Sequence, residues 1–414
     1  MDVSRRDLLT GLGSVSLLSL PSLSTATSAS GAAAQRVTLP DRASFPLEGV
    51  YLDAAYTHPL GGEPYQAAAQ FLASRRQDAD RKWPRSNARD AAVGLFAKLI
   101  NAEPAEIAVV PSTMEGENLV VAALALSNTA GVVTDALHYD ASLVLYGELH
   151  RRGVPLSVVA PRQGRIELTD IEAVIDKQTR LVAVSLVSSS TGFVHDLKAL
   201  CDLVHSRGAL VYADVIQAAG AVPIDVRASE VDFCCCGTYK WLMGDFGTAF
   251  LYVRPDRLAH LARVQVGWRQ IRTQVSHALP YDPPGPLLGE WTLGSDTASV
   301  FEVSTPAWGS LATVVGGLSY VHRIGVHAIV RHRQPLIDRL QDRLPTHGFA
   351  PLTPTDSQGP IVAFACRGAA RRFDSKLAAA NIRISTHDNR IRLSPSVYND
   401  MEDVERVISV LSEL

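Results

Sequence analysis

The first chemical signal is a lysine in an apolar phrase, Thr238-Tyr239-Lys240-Trp241-Leu242. Lysine is rarely buried unless it is paired or functional. Burial disfavours the ammonium form, so such a side chain has a lowered pKa and a nucleophilic amine able to capture an aldehyde. Asp214 ends the apolar run ALVYA, Gln217 follows it, and Lys240 comes 26 residues after Asp214. A carboxylate set against a pyridine nitrogen keeps it protonated, and the ring then draws electrons from a substrate α-carbon. An amine for an aldehyde and a carboxylate for a pyridine nitrogen are the two demands of pyridoxal 5′-phosphate (PLP). Spacing alone leaves plainer readings open: Asp214 as a helix N-cap, and Lys240 as a surface lysine whose stem lies along the protein.

The elements that must position these residues alternate. Strands are expected at Ile107–Val110, Gly131–Thr134, Leu181–Val187, Ala209–Ala213, Val231–Cys236 and Thr248–Val253, with helices at Glu115–Ser127, Ala141–Arg152 and Asp196–Arg207 between them. That order predicts an α/β fold with a mostly parallel central sheet sandwiched by helices. Active-site chemistry then belongs at the carboxyl ends of the strands, where Asp214, Lys240 and Ser188-Ser189-Ser190 fall. A smaller α+β C-terminal domain follows, with helices at Ala328–Leu344 and Met401–Leu411 and strands at Ile361–Cys366 and Ile391–Leu393. The expected divisions are a leader at 1–34, an N-terminal arm at 35–60, a large domain at 61–310 and a small domain at 311–414.

With 414 residues and a net charge of −3, the chain can bury a large core and gives no electrostatic reason to expect nucleic acid or an acidic membrane as partner. Its five cysteines form no CxxC pair or His/Cys cluster, so no metal is expected. Cys234-Cys235-Cys236 reads as buried strand, with a redox role as the alternative. The first residues contain Ser4-Arg5-Arg6-Asp7-Leu8-Leu9, an apolar run to Leu20 and a Ser/Ala/Thr-rich stretch. This pattern resembles a twin-arginine (Tat) signal peptide; a disordered basic tail is the alternative. It predicts folded export through the Tat translocon to the periplasm, with no membrane attachment after cleavage.

Residues 107–253, with Phe301–Pro306 and Arg392–Asn399, resemble the class V aminotransferase family, which includes cysteine desulfurases, kynureninases and isopenicillin N epimerase-like enzymes. The phrases YADVIQAAG, GTYKWLMGDFGTAFLYV and IRLSPSVYND carry the resemblance. It implies the fold type I of PLP-dependent transferases, with Lys240 as the Schiff-base lysine and Asp214 as the pyridinium partner. Thr113 and Met114 match the turn before the phosphate-binding helix, although Met114 stands where a threonine is usual and offers only its N–H. Tyr139 matches the ring-stacking aromatic, with neighbouring His138 as the alternative. Gln217 falls near the ring hydroxyl, and Thr238 and Tyr239 match phosphate contacts. Thr305 matches a threonine delivered from the partner subunit, which implies a homodimer with shared sites. Arg392 matches the arginine for the substrate α-carboxylate. Ser189 and His58 are further candidates for the substrate pocket.

The departures matter too. Desulfurases of this family carry a cysteine on the loop before the arginine motif; here that loop is Ser385-Thr386-His387-Asp388-Asn389-Arg390. Cysteine desulfurase is therefore disfavoured, and His387 and Arg390 are read as residues of a solvated loop or as substrate contacts. The resemblance implies an enzyme acting on an amino-acid amine through a Cα carbanion: an aminotransferase or a lyase cleaving C–S or related bonds, with epimerisation as the alternative. An exported natural product containing an amino acid is one candidate substrate. A PLP-fold protein kept only for binding is the reading from a different class.

Overall fold

The structure is a computed structural model and describes residues 37–77, 85–277, 280–281 and 289–412. The expected leader lies outside the described residues. A seven-stranded sheet forms the centre, in the order Ile107–Val110, Ala249–Val253, Phe233–Gly237, Leu210–Asp214, Thr179–Ser185, Gly131–Asp135, Leu156–Val159. Ala249–Val253 runs antiparallel to both neighbours, and the other adjacent pairs are parallel. Except at the edge strand Leu156–Val159, where Val158 is exposed, the strands are largely buried on both faces, which is why they read as continuous apolar runs. Alternate residues still divide between two cores. Val182, Val184, Cys234 and Cys236 join one, while Leu181, Ala183, Cys235 and Leu251 join the other. The three-cysteine run is thus strand, as expected. Helices cover both faces, and short polar side chains start several of them: Ser112, Asp196 and Asp296 each accept a backbone N–H of the first turn.

Near the C-terminus a four-stranded antiparallel sheet has the order Ala350–Pro351, Val362–Ala365, Arg390–Leu393, Ser385–Thr386. The N-terminal arm joins this part of the molecule. Val50–Tyr51 pairs with Ile382–Arg383, and Asp53 bridges to Ser394. Val50 and Leu52 sit in the same apolar cluster as Ile391, Leu393 and Val404.

The expected division at 310/311 falls inside a helix, Trp308–Ile324. Its Leu311, Val314 and Leu318 are buried in the large core, which extends that unit past the expected boundary. This helix lies directly against the loop after Lys240. A Cβ on Gly317 would come within 2.3 Å of the Leu242 carbonyl oxygen, so only glycine permits the approach. From the other side Gly220, at φ +88°, does the same for the Trp241 carbonyl. Two glycines thus clasp the lysine loop. Among the described residues no helix is long and apolar enough to cross a membrane.

Candidate active site

Asp214 and Ser185 end neighbouring parallel strands in register, and Asp135 and Gly237 end the strands beyond. Chemistry gathers here. Asp214 is buried, with one oxygen accepting the Ile216 N–H at 2.9 Å. Burial pushes its carboxyl up to about 6, against the opposing pull of that hydrogen bond and of His138. Lys240, 9% exposed, lies near enough for the two charges to act on each other. Burial lowers the Lys240 ammonium to about 8, and the Asp214 charge is the largest opposing influence. A lysine poised near neutrality against a carboxylate is the pairing the sequence suggested.

Behind Asp214 lies a polar network that sequence reasoning missed. Glu117, fully enclosed on the helix Thr113–Ala123, accepts from Ser142 Oγ at 2.6 Å and from Tyr146 OH at 2.7 Å, and its Oε1 lies 3.1 Å from His138 Nε2. The other His138 nitrogen meets Ser185 Oγ at 2.9 Å. Burial works against both charges, but each partner outweighs it: Glu117 holds His138 above the usual imidazole range, and His138 holds Glu117 below the usual carboxylate range. Asp135 and His195 form a second such contact at 3.1 Å. Glu117 lies one turn after Thr113 on an apolar helix, but nothing in its local sequence marks the His138, Ser142 and Tyr146 partners that folding brings to it.

His138 has both nitrogens engaged at its ring edge, which fixes its orientation, and Tyr146 lies 6.2 Å from it on one side. Tyr139, next in sequence, is 41% exposed at the start of the helix Asp140–Arg151 and acts on Tyr239 across the site. Tyr239 stacks on Phe246 at 4.7 Å, and Lys240 Nζ lies 5.7 Å from the Tyr239 ring centroid.

The helix Thr113–Ala123 points its N-terminus at the end of the strand Phe233–Gly237. Ser112 Oγ takes the Glu115 N–H, and Thr113 Oγ1 accepts the Gly237 N–H at 2.9 Å. The Thr113 hydroxyl proton remains free to donate, beside the leading N–H groups of the helix. A Cβ on Gly237 would fall 3.1 Å from Thr113 Oγ1 and 3.4 Å from the Tyr239 ring, so glycine keeps this cradle open. Met114 is half-buried, with its sulfur 3.5 Å from Ser142 Oγ.

Several expected contacts are engaged elsewhere. Gln217 donates to the Ala55 carbonyl and accepts from Trp241 Nε1, both at 2.9 Å, so it ties the N-terminal arm to the lysine loop. The Thr238 hydroxyl closes its own loop on the Asp245 carbonyl. His58, expected near the substrate, is 2% exposed, with one nitrogen 2.8 Å from the Pro59 carbonyl and the other 2.8 Å from Ser396 Oγ. Packed among Phe45, Trp241 and Tyr398, it is a core histidine, and burial lowers it to about 4. Thr305 is exposed on a loop lining a separate groove of about 400 Å³ with Pro111, Glu115 and Gly247. It does not reach this chain's own Lys240 site.

The substrate side comes from the C-terminal sheet. Arg392 acts on Lys240, and burial lowers the arginine itself. It donates to the Ser189 carbonyl at 2.9 Å and reaches Asp53 and Ser385 only at 3.4 Å. Ser189 thus positions the guanidinium through its backbone. Asp53, 1% exposed and also missed from sequence, has its carboxyl raised by burial against the pull of Arg392 and Arg383. Arg390 is not part of a solvated loop: it begins the strand Arg390–Leu393 and its Nε is buried, whereas His387 is exposed. All five cysteines are buried and unpaired.

Residues 50–407 match the family described as aminotransferase class-V. The chain belongs to that family. It is 27% identical to an uncharacterised aminotransferase, YcbU, of Bacillus subtilis over 77% of this chain and 81% of that one. It is 28% identical to a probable cysteine desulfurase of Methanothermobacter thermautotrophicus over 72% and 74%. Among solved structures, an apo cysteine desulfurase from Thermococcus onnurineus superposes with a TM-score of 0.79 at 22% identity, covering 91% of this chain and 98% of that one. A cystine C–S lyase in complex with cysteine persulfide superposes with a TM-score of 0.80 at 19% identity, covering 91% and 100%. The same lyase is known as a variant with glycine covalently linked to its PLP cofactor. The fold is that of the PLP-dependent class V enzymes, and the cofactor of this class V chain is PLP. The residues fit it: a near-neutral buried lysine, a carboxylate near it, and an open cradle at a helix N-terminus. One expectation is overturned. Cysteine desulfurase was disfavoured for want of a loop cysteine, yet desulfurases and a C–S lyase stand among the sequence relatives and structural neighbours. C–S cleavage therefore belongs among the reactions of this fold's relatives, and one missing residue does not remove it. Epimerisation finds no support in these names.

Proposed function

We propose that this class V enzyme is a C–S lyase acting on an amino acid of the cysteine type. The observation that carries the reading is Lys240, enclosed at the strand ends, with the charges of the Asp214 carboxylate and Arg392 acting on it. PLP supplies an electron sink for the carbon bearing the substrate amine. The chain supplies the rest. Asp214 would hold the proton of the ring nitrogen, Tyr139 would be the aromatic side chain offered to the ring, and Thr113, the N–H of Met114 and Tyr239 would receive the phosphate. Arg392 would grip the α-carboxylate and so fix which bond at Cα is presented for cleavage. Lys240 Nζ, basic enough near pH 8 to take a proton, removes the one on Cα. Thiolate then leaves Cβ, and the balance is substrate plus water giving thiol, pyruvate and ammonium. The test is incubation of the holoenzyme with L-cysteine and S-alkyl cysteines. Equimolar pyruvate and ammonium are expected. Transfer of the amino group to an added keto acid with the C–S bond intact contradicts the reading.

The assembly belongs to the same proposal. Support for a homodimer comes from exposed Val266, Trp268, Val275 and Trp291 on and beside the hairpin Ile271–Ser276/Gly289–Leu293. Thr305 of one subunit serves the other subunit's phosphate. Monomeric sedimentation at working concentration, or Thr305→Val with undiminished cofactor affinity, contradicts it. Export is the remaining part: replacing Arg5 and Arg6 by lysines retains the protein in the cytoplasm, and unchanged export of that variant contradicts the Tat route.

A further inference from the structure

Arg390 and Arg392 lie two residues apart on one strand, so they share a face, while Ile391 and Leu393 point the other way into the apolar cluster. Their Cα atoms are therefore roughly 6.5–7 Å apart. Both Nε atoms are buried without a hydrogen-bond partner. Arg390 takes part in no ion pair among the described residues. Asp140, at the head of the helix beside Tyr139, is the carboxylate that acts on it. Arg392 has one firm bond, to a neutral carbonyl, and a stretched contact to Asp53 at 3.4 Å. Arg383 draws on the same Asp53, at 3.5 Å. His387 stands next to both strand arginines and responds to each of them.

Two clustered guanidinium groups with unfilled donors cost free energy unless something compensates them. One carboxylate needs only one guanidinium, which it engages through two parallel bonds. The second arginine is thus in excess of what an α-carboxylate requires. We propose that the substrate is an amino acid whose side chain ends in a second anion, a carboxylate or an S-sulfonate, with Arg392 receiving the α-carboxylate and Arg390 the distal group. Arg390 is then a specificity-determining residue. The proposal rests on the Lys240–Arg392 site being the reactive one and names its substrate class.

The experiment has a binding arm and a turnover arm, both on holoenzyme. Calorimetry compares maleate, a dicarboxylate without an amine, with propionate. Tighter binding of maleate is expected, weakening as salt rises. Turnover compares S-sulfo-L-cysteine, which expels thiosulfate, and S-carboxymethyl-L-cysteine, which expels thioglycolate, with the neutral S-ethyl-L-cysteine. At least one anionic substrate is expected to have the higher kcat/KM, and the arm that wins tells the short anion from the long one. Losing one charge-assisted contact is expected to lower both the maleate affinity and that preference by roughly ten- to a hundred-fold in Arg390→Met, with partial recovery in Arg390→Lys. If maleate binds no better than propionate, or Arg390→Met keeps the preference, the inference is overturned. Selective maleate binding that depends on Arg390, without pyruvate from any substrate, upholds the anion site and sinks the C–S lyase reading instead. Pyruvate formed from all three substrates with equal efficiency does the reverse.

Discussion

The two ends of the site are both buried and both charged, yet they are finished differently. At the cofactor end Glu117 receives three donors, His138 has both nitrogens engaged and Asp135 is matched by His195, so that the charged groups are all partnered and only a neutral hydroxyl, that of Tyr212, is left without a partner beside them. At the substrate end two arginines keep buried Nε atoms without partners, and the nearest carboxylates stand at 3.4 Å or beyond. Buried charges that find partners rigidify a site, whereas buried charges without them raise the free energy of the empty site. The cofactor end is built to be held in one geometry. The substrate end is built to be completed by what it binds.

The largest effect expected is at Lys240. Lys240→Ala eliminates covalent attachment of the cofactor and lowers turnover by at least about 10²–10⁴-fold, the range for losing a positioned acid–base group. Borohydride reduction of the wild type followed by peptide mapping should place the label on Lys240; a label on another lysine breaks the assignment of this end.

Next comes Glu117. Glu117→Ala strands His138, Ser142 and Tyr146 in the interior and is expected to cost about 3–5 kcal/mol of stability. The midpoint of denaturant unfolding should fall with little change in slope. A loss under about 1 kcal/mol, the level of an ordinary surface change, removes the claim that this end is held by its network. The pair also has a pH signature. His138, raised by Glu117, stabilises below its ordinary pKa and loses that contribution as pH rises through its raised value. Glu117, lowered by His138, stabilises above its ordinary pKa and loses that as pH falls through its lowered value.

A smaller, graded effect is expected in cofactor loading. Burial lowers Lys240 to about 8, so its amine is mostly free above that value and about tenfold scarcer for each unit below it. The rate at which apoenzyme captures PLP should climb through neutral pH and level off above about 8. Since Asp214 opposes the shift, Asp214→Asn should move the plateau to lower pH. A climb continuing towards the ordinary lysine range contradicts a buried, unassisted amine.

The cofactor end was largely legible in the sequence because its requirements are local. Asp214 and Lys240 sit at the ends of apolar runs whose composition marks buried parallel strands, and the resemblance adds Thr113 and Met114 at the turn before the helix. What escaped was assembled by tertiary contact. Glu117 lies on a helix face that only folding turns towards His138 and Tyr146. Asp53 meets Arg392 only because the N-terminal arm pairs with Ile382–Arg383. His58 reads as a loop residue until Phe45, Trp241 and Tyr398 close around it. Thr238 and Gln217 have the right types for cofactor contacts, but loop closure and the Trp241 indole take their polar atoms. The helices Gly62–Gln77 and Trp308–Ile324 were missed for a related reason: they pack on each other through glycine, where a Cβ on Gly316 would lie 2.7 Å from Pro64 Cα, and such packing leaves a weak periodic signal.

The smallest expected effect is the sharpest test of the contrast. Arg390→Met keeps an unbranched stem of similar length and removes the charge. Burial already disfavours the Arg390 cation, and the Arg392 charge disfavours it further, with only Asp140 opposing. Deleting the charge therefore relieves desolvation and repulsion and leaves no partner stranded, because the Arg390 side chain has no ion-pair partner among the described residues. Its methylene stem, the part that covers neighbouring apolar surface, is replaced by the methionine chain. Thermal stability should stay within about 1 kcal/mol of wild type or rise slightly. Glu117→Ala and Arg390→Met would then form a matched pair: both alter a buried charge near the same reactive lysine, one at a large cost in stability and one at almost none. If Arg390→Met unfolds as readily as Glu117→Ala, Arg390 supports the fold, and the substrate end is no less finished than the cofactor end.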